Sequence, residues 1–302
     1  MMYHKPVLLE KSVEGLRIKP EGVYVDATFG GGGHSRTILE KLQNGKLFGF
    51  DQDLEAEKNV PDDPRFVFLN HNFRYMRNFL KLHGVTQVDG ILADLGVSSH
   101  QIDEAERGFS TRFDGPLDMR MNQMASLSAG EIINEYGEEE LARVFYLFGE
   151  LKNARKIARI IEKERQERII ETTSGLMNIL EEVAPRGKEN KFFAQVFQAL
   201  RIEVNQELEA LKEFLEQSED LLKPQGRLVV ISYHSLEVRL VKNFMKSGNF
   251  SGEVEKDFFG NPLTPLVPVG KQETADQQEV TDNPRARSAR LRIAEKREKE
   301  NG

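Results

Sequence analysis

The 302-residue sequence contains no cysteine. Disulfides, thiolate metal sites and every mechanism that runs through a cysteine nucleophile are thereby excluded. No apolar run approaches the length of a membrane span, and the start, Met1-Met2-Tyr3-His4-Lys5-Pro6, has no hydrophobic signal segment. A cytoplasmic protein without membrane contact is the expectation. Positive charge is in deficit, with 42 lysines and arginines against 49 acids and a net charge of −7. Such a balance argues against indiscriminate coating of nucleic acid. Internal repeats are absent, and low complexity is confined to a charged C-terminal tail. The histidines lack metal-ligand spacing, so no metal is expected.

What is present is a rhythm. Residues 1–100 alternate apolar strands, at 23–29, 45–53, 65–73 and 88–96, with helical stretches, which predicts a parallel sheet covered on both faces. The rhythm stops from Val97 to about Leu127, where Ser98, Ser99, Gly108, Asp114, Gly115 and Pro116 mark a long loop, a length that usually carries function. Ser128-Ala129-Gly130-Glu131 has capping-box spacing and opens an all-helical stretch. Within it Leu141, Val144, Phe145 and Phe148 form one apolar stripe, and Leu151, Ala154, Ile157, Ala158 and Ile161 another. Opposite the second stripe lie Lys152, Arg155, Lys156, Arg159, Lys163, Arg165 and Arg168. The sheet pattern then resumes, with a helix over 206–222, a turn at Pro224-Gln225-Gly226 and a buried strand over 227–232. Residues 250–280 read as irregular and 287–293 as a last strand. The expected organisation is an α/β domain of residues 1–104 plus 209–302, interrupted by a helical insertion of residues 105–208.

The run Val23-Tyr24-Val25-Asp26-Ala27-Thr28-Phe29-Gly30-Gly31-Gly32-Gly33-His34 organises the chain. A strand that breaks into glycines before a helix makes a nucleotide cradle, because glycine lets backbone approach the ligand and first-turn N–H groups point at it. In an open parallel sheet, ligands sit beyond the carboxyl ends of the strands. Asp26, Asp51, Phe73, Asp94 and Tyr233-His234-Ser235 all fall there. The dinucleotide fingerprint wants a third glycine where this chain has Ser35, and an acid at Asp26 suits a cationic ligand better than a pyrophosphate. Both features point to S-adenosylmethionine. Asp51, about 20 residues past the glycines, is placed to accept ribose hydroxyls.

Further blocks carry a resemblance. Asp94-Leu95-Gly96-Val97-Ser98-Ser99-His100-Gln101, Glu106-Arg107-Gly108-Phe109-Ser110 and Gly115-Pro116-Leu117-Asp118-Met119-Arg120-Met121 closely resemble the bacterial small-subunit ribosomal RNA methyltransferase H family. So do His4-Lys5-Pro6-Val7-Leu8-Leu9-Glu10, the glycine run, Phe197-Gln198-Ala199-Leu200-Arg201-Ile202, Ile231-Ser232-Tyr233-His234-Ser235-Leu236-Glu237 and Asn283-Pro284-Arg285-Ala286-Arg287-Ser288, in order almost end to end. His100 stands where many relatives have proline. The resemblance implies a doubly wound, Rossmann-like class I methyltransferase with an inserted helical domain. It implies cofactor contacts at Gly32, Gly33, His34, Asp51, Phe73, Asp94 and Gln101, to which the glycine-loop pattern adds Asp26 and Gly30. The implied activity is methylation of a cytosine N4 in 16S ribosomal RNA, in the decoding region of the assembled small subunit; a DNA or protein amine is the alternative acceptor.

An exocyclic amine is a weak nucleophile that must be oriented and relieved of a proton, a task for Asp94 helped by Ser98. The missing cysteine agrees, since methylation at cytosine C5 normally needs a covalent thiol adduct. RNA is expected at the long loop, the basic helix and Arg285, Arg287, Arg290 and Arg292, with Phe109, Phe113 or Tyr233 stacking on a flipped base. Asp118 either holds the base or caps a turn; His34 and His234 either touch ligand or mark element ends. A homodimer is a further expected assembly.

Overall fold

Short apolar segments bounded by glycine and acid form seven strands, β1 (Val23–Asp26), β2 (Lys46–Phe50), β3 (Phe66–Leu69), β4 (Val88–Asp94), β5 (Leu222–Ser232), β6 (Leu266–Pro268) and β7 (Arg290–Lys296). The computed structural model describes residues 6–298, so His4 and Lys5 of the N-terminal block lie outside the described residues. The strands form one sheet in the order β3-β2-β1-β4-β5-β7-β6. β1 to β5 are parallel, whereas β7 runs antiparallel to both β5 and β6.

Alternation along each strand feeds two cores. Val25, Phe48, Ile91, Leu228 and Val230 face one layer with Met76 and Leu80 of the helix Met76–Leu82, Leu211 and Phe214 of Glu207–Leu221, and Val241 and Phe244 of Ser235–Ser247. Tyr24, Leu47, Leu92, Val229 and Ile231 face the other, with Val13 of the helix Leu9–Gly15 and Ile38 and Leu39 of Gly33–Lys41. Helices on both faces make the sheet doubly wound.

Two details depart from the sequence pattern. Pro224-Gln225-Gly226 lies inside β5, as an irregularity between the pairs Val88–Leu222 and Gly90–Arg227, with Gln225 at φ 64°. The supposedly irregular 250–280 region holds the edge strand β6, which ends on Pro268, and the helix Gln277–Asp282. Proline is tolerated at an edge because no further strand needs its missing N–H.

The chain divides into two compact units, Met1–Gly96 with Leu208–Gly302, and Val97–Glu207. The second unit begins at Val97, where the strand and helix rhythm stops, and takes in residues 97–104, which the sequence pattern places with the sheet domain. Its core is helical: Leu141, Val144 and Phe145 pack with Ile157, Ala158 and Ile161, and with Val196 and Leu200. Ser128 and Glu131 cap the helix Ala129–Glu135 reciprocally, as their spacing predicts. The helix Glu189–Asn205 stops at Gln206, which adopts the left-handed region at φ 49°. No glycine or proline announces that break. Among the described residues no helix is long and apolar enough to cross a membrane.

Candidate active site

The end of β1 continues past its own hydrogen-bonding ladder. Ala27 N–H donates to the Leu92 carbonyl and Phe29 N–H to the Phe50 carbonyl, both at 2.8 Å, so the following loop hangs between β4 and β2. Gly30 and Gly32 then take φ 50° and 73°. At Gly32 a Cβ would also lie 2.9 Å from the Phe29 ring, so only glycine fits. The helix Gly33–Lys41 starts directly after, and its first-turn N–H groups have no intrahelical acceptor. His34 sits in that turn, buried, with Nε2 lacking a hydrogen-bond partner. Burial pushes its imidazole down to about 4, against its bond to the Val7 backbone, which raises it, so it is neutral near pH 7.

The acids at the strand ends divide by role. Asp26 is completely buried: Oδ2 accepts from Ser35 Oγ at 2.7 Å and Oδ1 from Thr28 N–H at 3.2 Å. It holds the loop from beneath. Contact with a cofactor, expected from its place at the end of β1, is not what this geometry offers, because both oxygens are turned inward and engaged. Asp51 is only partly covered. Its Oδ2 accepts the Gly30 N–H at 2.7 Å and its Oδ1 the Asp53 N–H at 2.8 Å. The structure thus brings the glycine loop and the acid about 20 residues downstream together, as the spacing implies. Burial, reinforced by the charges of Asp53 and Asp26, pushes Asp51 up to about 6.

Asp94 ends β4. Its backbone N–H donates to Thr28 Oγ1 at 2.6 Å and its Oδ1 accepts from the Tyr233 hydroxyl at 2.6 Å. Burial pushes it up to about 7, with Asp26 and Glu237 raising it further against the Tyr233 bond. Phe73 opens a turn of 3-10 helix after β3, its ring edge-on to Phe214 at 5.1 Å. Thr28, Ser35 and Glu237 hydrogen-bond the residues of the site, a role that the sequence pattern does not assign to them. Glu237 has a usable signal, since a residue three positions after His234 at a strand-to-helix junction has capping-box spacing. It accepts the Tyr233 and His234 N–H groups at 2.8 and 3.3 Å.

Ser98 and Gln101 belong to the second unit, where they cap the helix Ser99–Asp103. The Gln101 N–H donates to Ser98 Oγ at 3.1 Å and the Ser98 N–H to Gln101 Oε1 at 3.0 Å. Asp118 takes the turn role: the Arg120 guanidinium and backbone N–H all bond its carboxylate. Phe113 is exposed beside Arg112, while Phe109 packs on the helical core. Lys152, Arg155, Lys156, Arg159, Lys163 and Arg168 are exposed, whereas Arg165 turns in to the Ile133 carbonyl. Near the C-terminus, Arg290 bonds the Arg287 and Ala289 carbonyls and Arg292 bonds Gln272, so the arginine run there is partly structural.

A cradle of glycine backbone among mutually repelling carboxyl groups favours a ligand that brings positive charge, as the sulfonium and ammonium of S-adenosylmethionine do. The buried, unpartnered Nε2 of His34 adds a polar atom without a protein partner. Comparison with known proteins agrees. The sequence is 58% identical over 299 residues to the ribosomal RNA small subunit methyltransferase H of Bacteroides thetaiotaomicron, covering 98% of each chain. It is 58% identical to the protein of that name from Flavobacterium johnsoniae, again over 98% of each. For the one from Cytophaga hutchinsonii the figure is 57%, over 98% of this chain and 100% of the relative. The MraW methylase family matches residues 1–297. From end to end, then, the chain belongs to the MraW methylase family, and S-adenosylmethionine is its cofactor.

Proposed function

We propose that this protein methylates the exocyclic N4 of a cytosine in 16S ribosomal RNA, in the decoding region of the small ribosomal subunit, and works in the cytoplasm. The observation that carries the choice of an amine is Asp94, a carboxyl at the end of β4 with one oxygen committed to Tyr233 and none of its neighbours a thiol. The choice of small-subunit RNA follows the relatives, which carry that substrate in their names over the whole length of the chain.

When bound, the cofactor supplies a methyl group on a positively charged sulfur. In this reading Asp51 accepts hydrogen bonds from the ribose hydroxyls, the loop at Gly30, Gly32 and Gly33 gives backbone contact, and His34 and Phe73 complete the cradle. Asp26 holds that loop through Ser35 and Thr28. Asp94 accepts a hydrogen bond from the amine, which aims the nitrogen lone pair at the methyl carbon. Transfer of that methyl group, its bond to sulfur giving way to one to nitrogen, would leave the amine nitrogen positive. The proton it then sheds goes to Asp94 or to water. A carboxyl pushed up to about 7 is matched to that task near neutral pH. Phosphates meet the exposed cations of the helix Ala154–Arg165, and of Phe109, Phe113 and Tyr233 it is Phe113 that is exposed to meet a flipped base.

Incubation with labelled S-adenosylmethionine and, separately, small subunits, naked 16S RNA, DNA and total protein tests this. Nucleoside analysis of digested RNA should give N4-methylcytidine from small subunits. Label in DNA or protein, or on another atom of the base, would overturn the assignment.

A further inference from the structure

Tyr233 sits after β5, 139 residues from Asp94 in sequence, and its hydroxyl lies 2.6 Å from Asp94 Oδ1. Burial and the Asp94 charge push the phenol well above its ordinary range, so it keeps its proton and donates. The pair is braced from both sides. On the Asp94 side, the backbone N–H is tied to Thr28 Oγ1, and Thr28 N–H is tied in turn to Asp26. On the other, Tyr233 N–H donates to Glu237 Oε2 at 2.8 Å, and Glu237 is itself buried in the first turn of the helix Ser235–Ser247.

With its backbone held at Thr28 and one oxygen held at Tyr233, the Asp94 carboxyl can turn about its terminal bond only by giving up the Tyr233 hydrogen bond. Oδ2 is the oxygen left to meet an acceptor amine. We propose that Tyr233 is a positioning residue for methyl transfer, locking Asp94 so that Oδ2 alone faces the target nitrogen. This rests on the reading of Asp94 as the partner of the amine. The phenol also sets the ionisation of Asp94 from one side, against Asp26 on β1 and Glu237 on the helix after β5, both of which resist the negative form. Losing the donor frees the carboxyl to turn and leaves only those opposing charges.

The test is Tyr233→Phe in the full-length protein, which keeps the ring and removes only the hydroxyl. The expected result is a fall in kcat on small subunits of roughly 10- to 100-fold, with KM for subunits and affinity for S-adenosylmethionine unchanged. The acidic limb of the kcat profile should move to higher pH, because a donor that favoured the carboxylate is gone. A variant with wild-type kcat and an unmoved limb overturns the proposal. A substrate-free measurement stands beside it: carbon NMR of carboxyl-labelled aspartate and ring-labelled tyrosine. In the wild type, Tyr233 Cζ should titrate in step with Asp94, and in Tyr233→Phe the Asp94 midpoint should rise. Independent titration of the two residues, or an unmoved midpoint, overturns the coupling. If the wild-type enzyme transfers nothing to small subunits, the substrate assignment fails, while the NMR titration still decides the Asp94–Tyr233 relationship.

Discussion

Ser35 Oγ donates to Asp26 Oδ2 at 2.7 Å, so the residue standing in place of a third fingerprint glycine is bound to the acid that ends β1. That acid is fully buried and its remaining oxygen takes only the Thr28 N–H. Burial already pushes Asp26 up to about 6. Ser35→Ala removes the shorter of the two bonds and leaves a buried carboxyl under-satisfied, at a cost of about 1–3 kcal/mol. Denaturant unfolding should register the loss, and the affinity for S-adenosylmethionine should fall with it as the loop loosens. Ser35→Gly should lose the same bond and gain no affinity for a dinucleotide. Wild-type stability in Ser35→Ala would show that Asp26 does not depend on this hydroxyl.

Asp94 makes a prediction about pH and stability. Its folded-state value is raised to about 7, against about 3.9 for an unfolded aspartate. The folded protein therefore binds this proton more tightly than the unfolded chain. The stability it contributes is full below the unfolded value and is lost as pH rises through about 7. Asparagine does not titrate and can still accept from Tyr233. The difference in Tm between Asp94→Asn and the ligand-free wild type should thus grow in favour of the variant between pH 5 and pH 8, although methyl transfer is lost. A difference that stays constant over that range would place the carboxyl in an ordinary environment.

Gly32 is where backbone conformation and cofactor affinity meet. At φ 73° an L side chain is strained, and a Cβ there would press on the Phe29 ring at 2.9 Å. Phe29 packs in turn on Phe66 and Phe68, so the ring has little room to retreat. Gly32→Ala should displace the start of the helix Gly33–Lys41 and weaken S-adenosylmethionine binding by roughly tenfold or more, on the scale of 1–3 kcal/mol for a strained backbone position. Calorimetric titration with the cofactor measures it directly. Unchanged affinity would mean that the loop does not contact the cofactor at this residue.

The sequence is most legible where information is local. Strand alternation locates β1 to β4, and the distance from the glycines to Asp51 anticipates the Gly30–Asp51 bond, because one strand and one crossover separate them. The Asp94–Tyr233 bond is invisible for the opposite reason: an entire inserted unit separates the partners in sequence. Alternation also announces the last strand, which holds Arg290 and Arg292, but not its place: β7 lies between β5 and β6, and its register with β5 sets Arg290 opposite Ser232 and Arg292 opposite Val230. Gln206 gives no warning because it takes a left-handed conformation that glycine or asparagine more often supplies.

The helix Ala154–Arg165 separates a packed face from a charged one, with Ile157, Ala158 and Ile161 buried and Lys156, Arg159 and Lys163 exposed. Arg159 lies 3.5 Å from Glu138, but both side chains are well exposed, and such a pair is worth little. Its charge is therefore available to a phosphate. Lys156→Glu combined with Arg159→Glu should weaken small-subunit binding while leaving stability and cofactor affinity unchanged, since neither side chain supports the core. If each cation neutralises one phosphate, the slope of log affinity against log salt should become shallower by about one for each cation removed. Filter binding or fluorescence anisotropy across a salt series reads both quantities. Reduced affinity with an unchanged slope would point to a perturbed surface with its phosphate neutralisation intact, and unchanged affinity would move the RNA interface away from this helix.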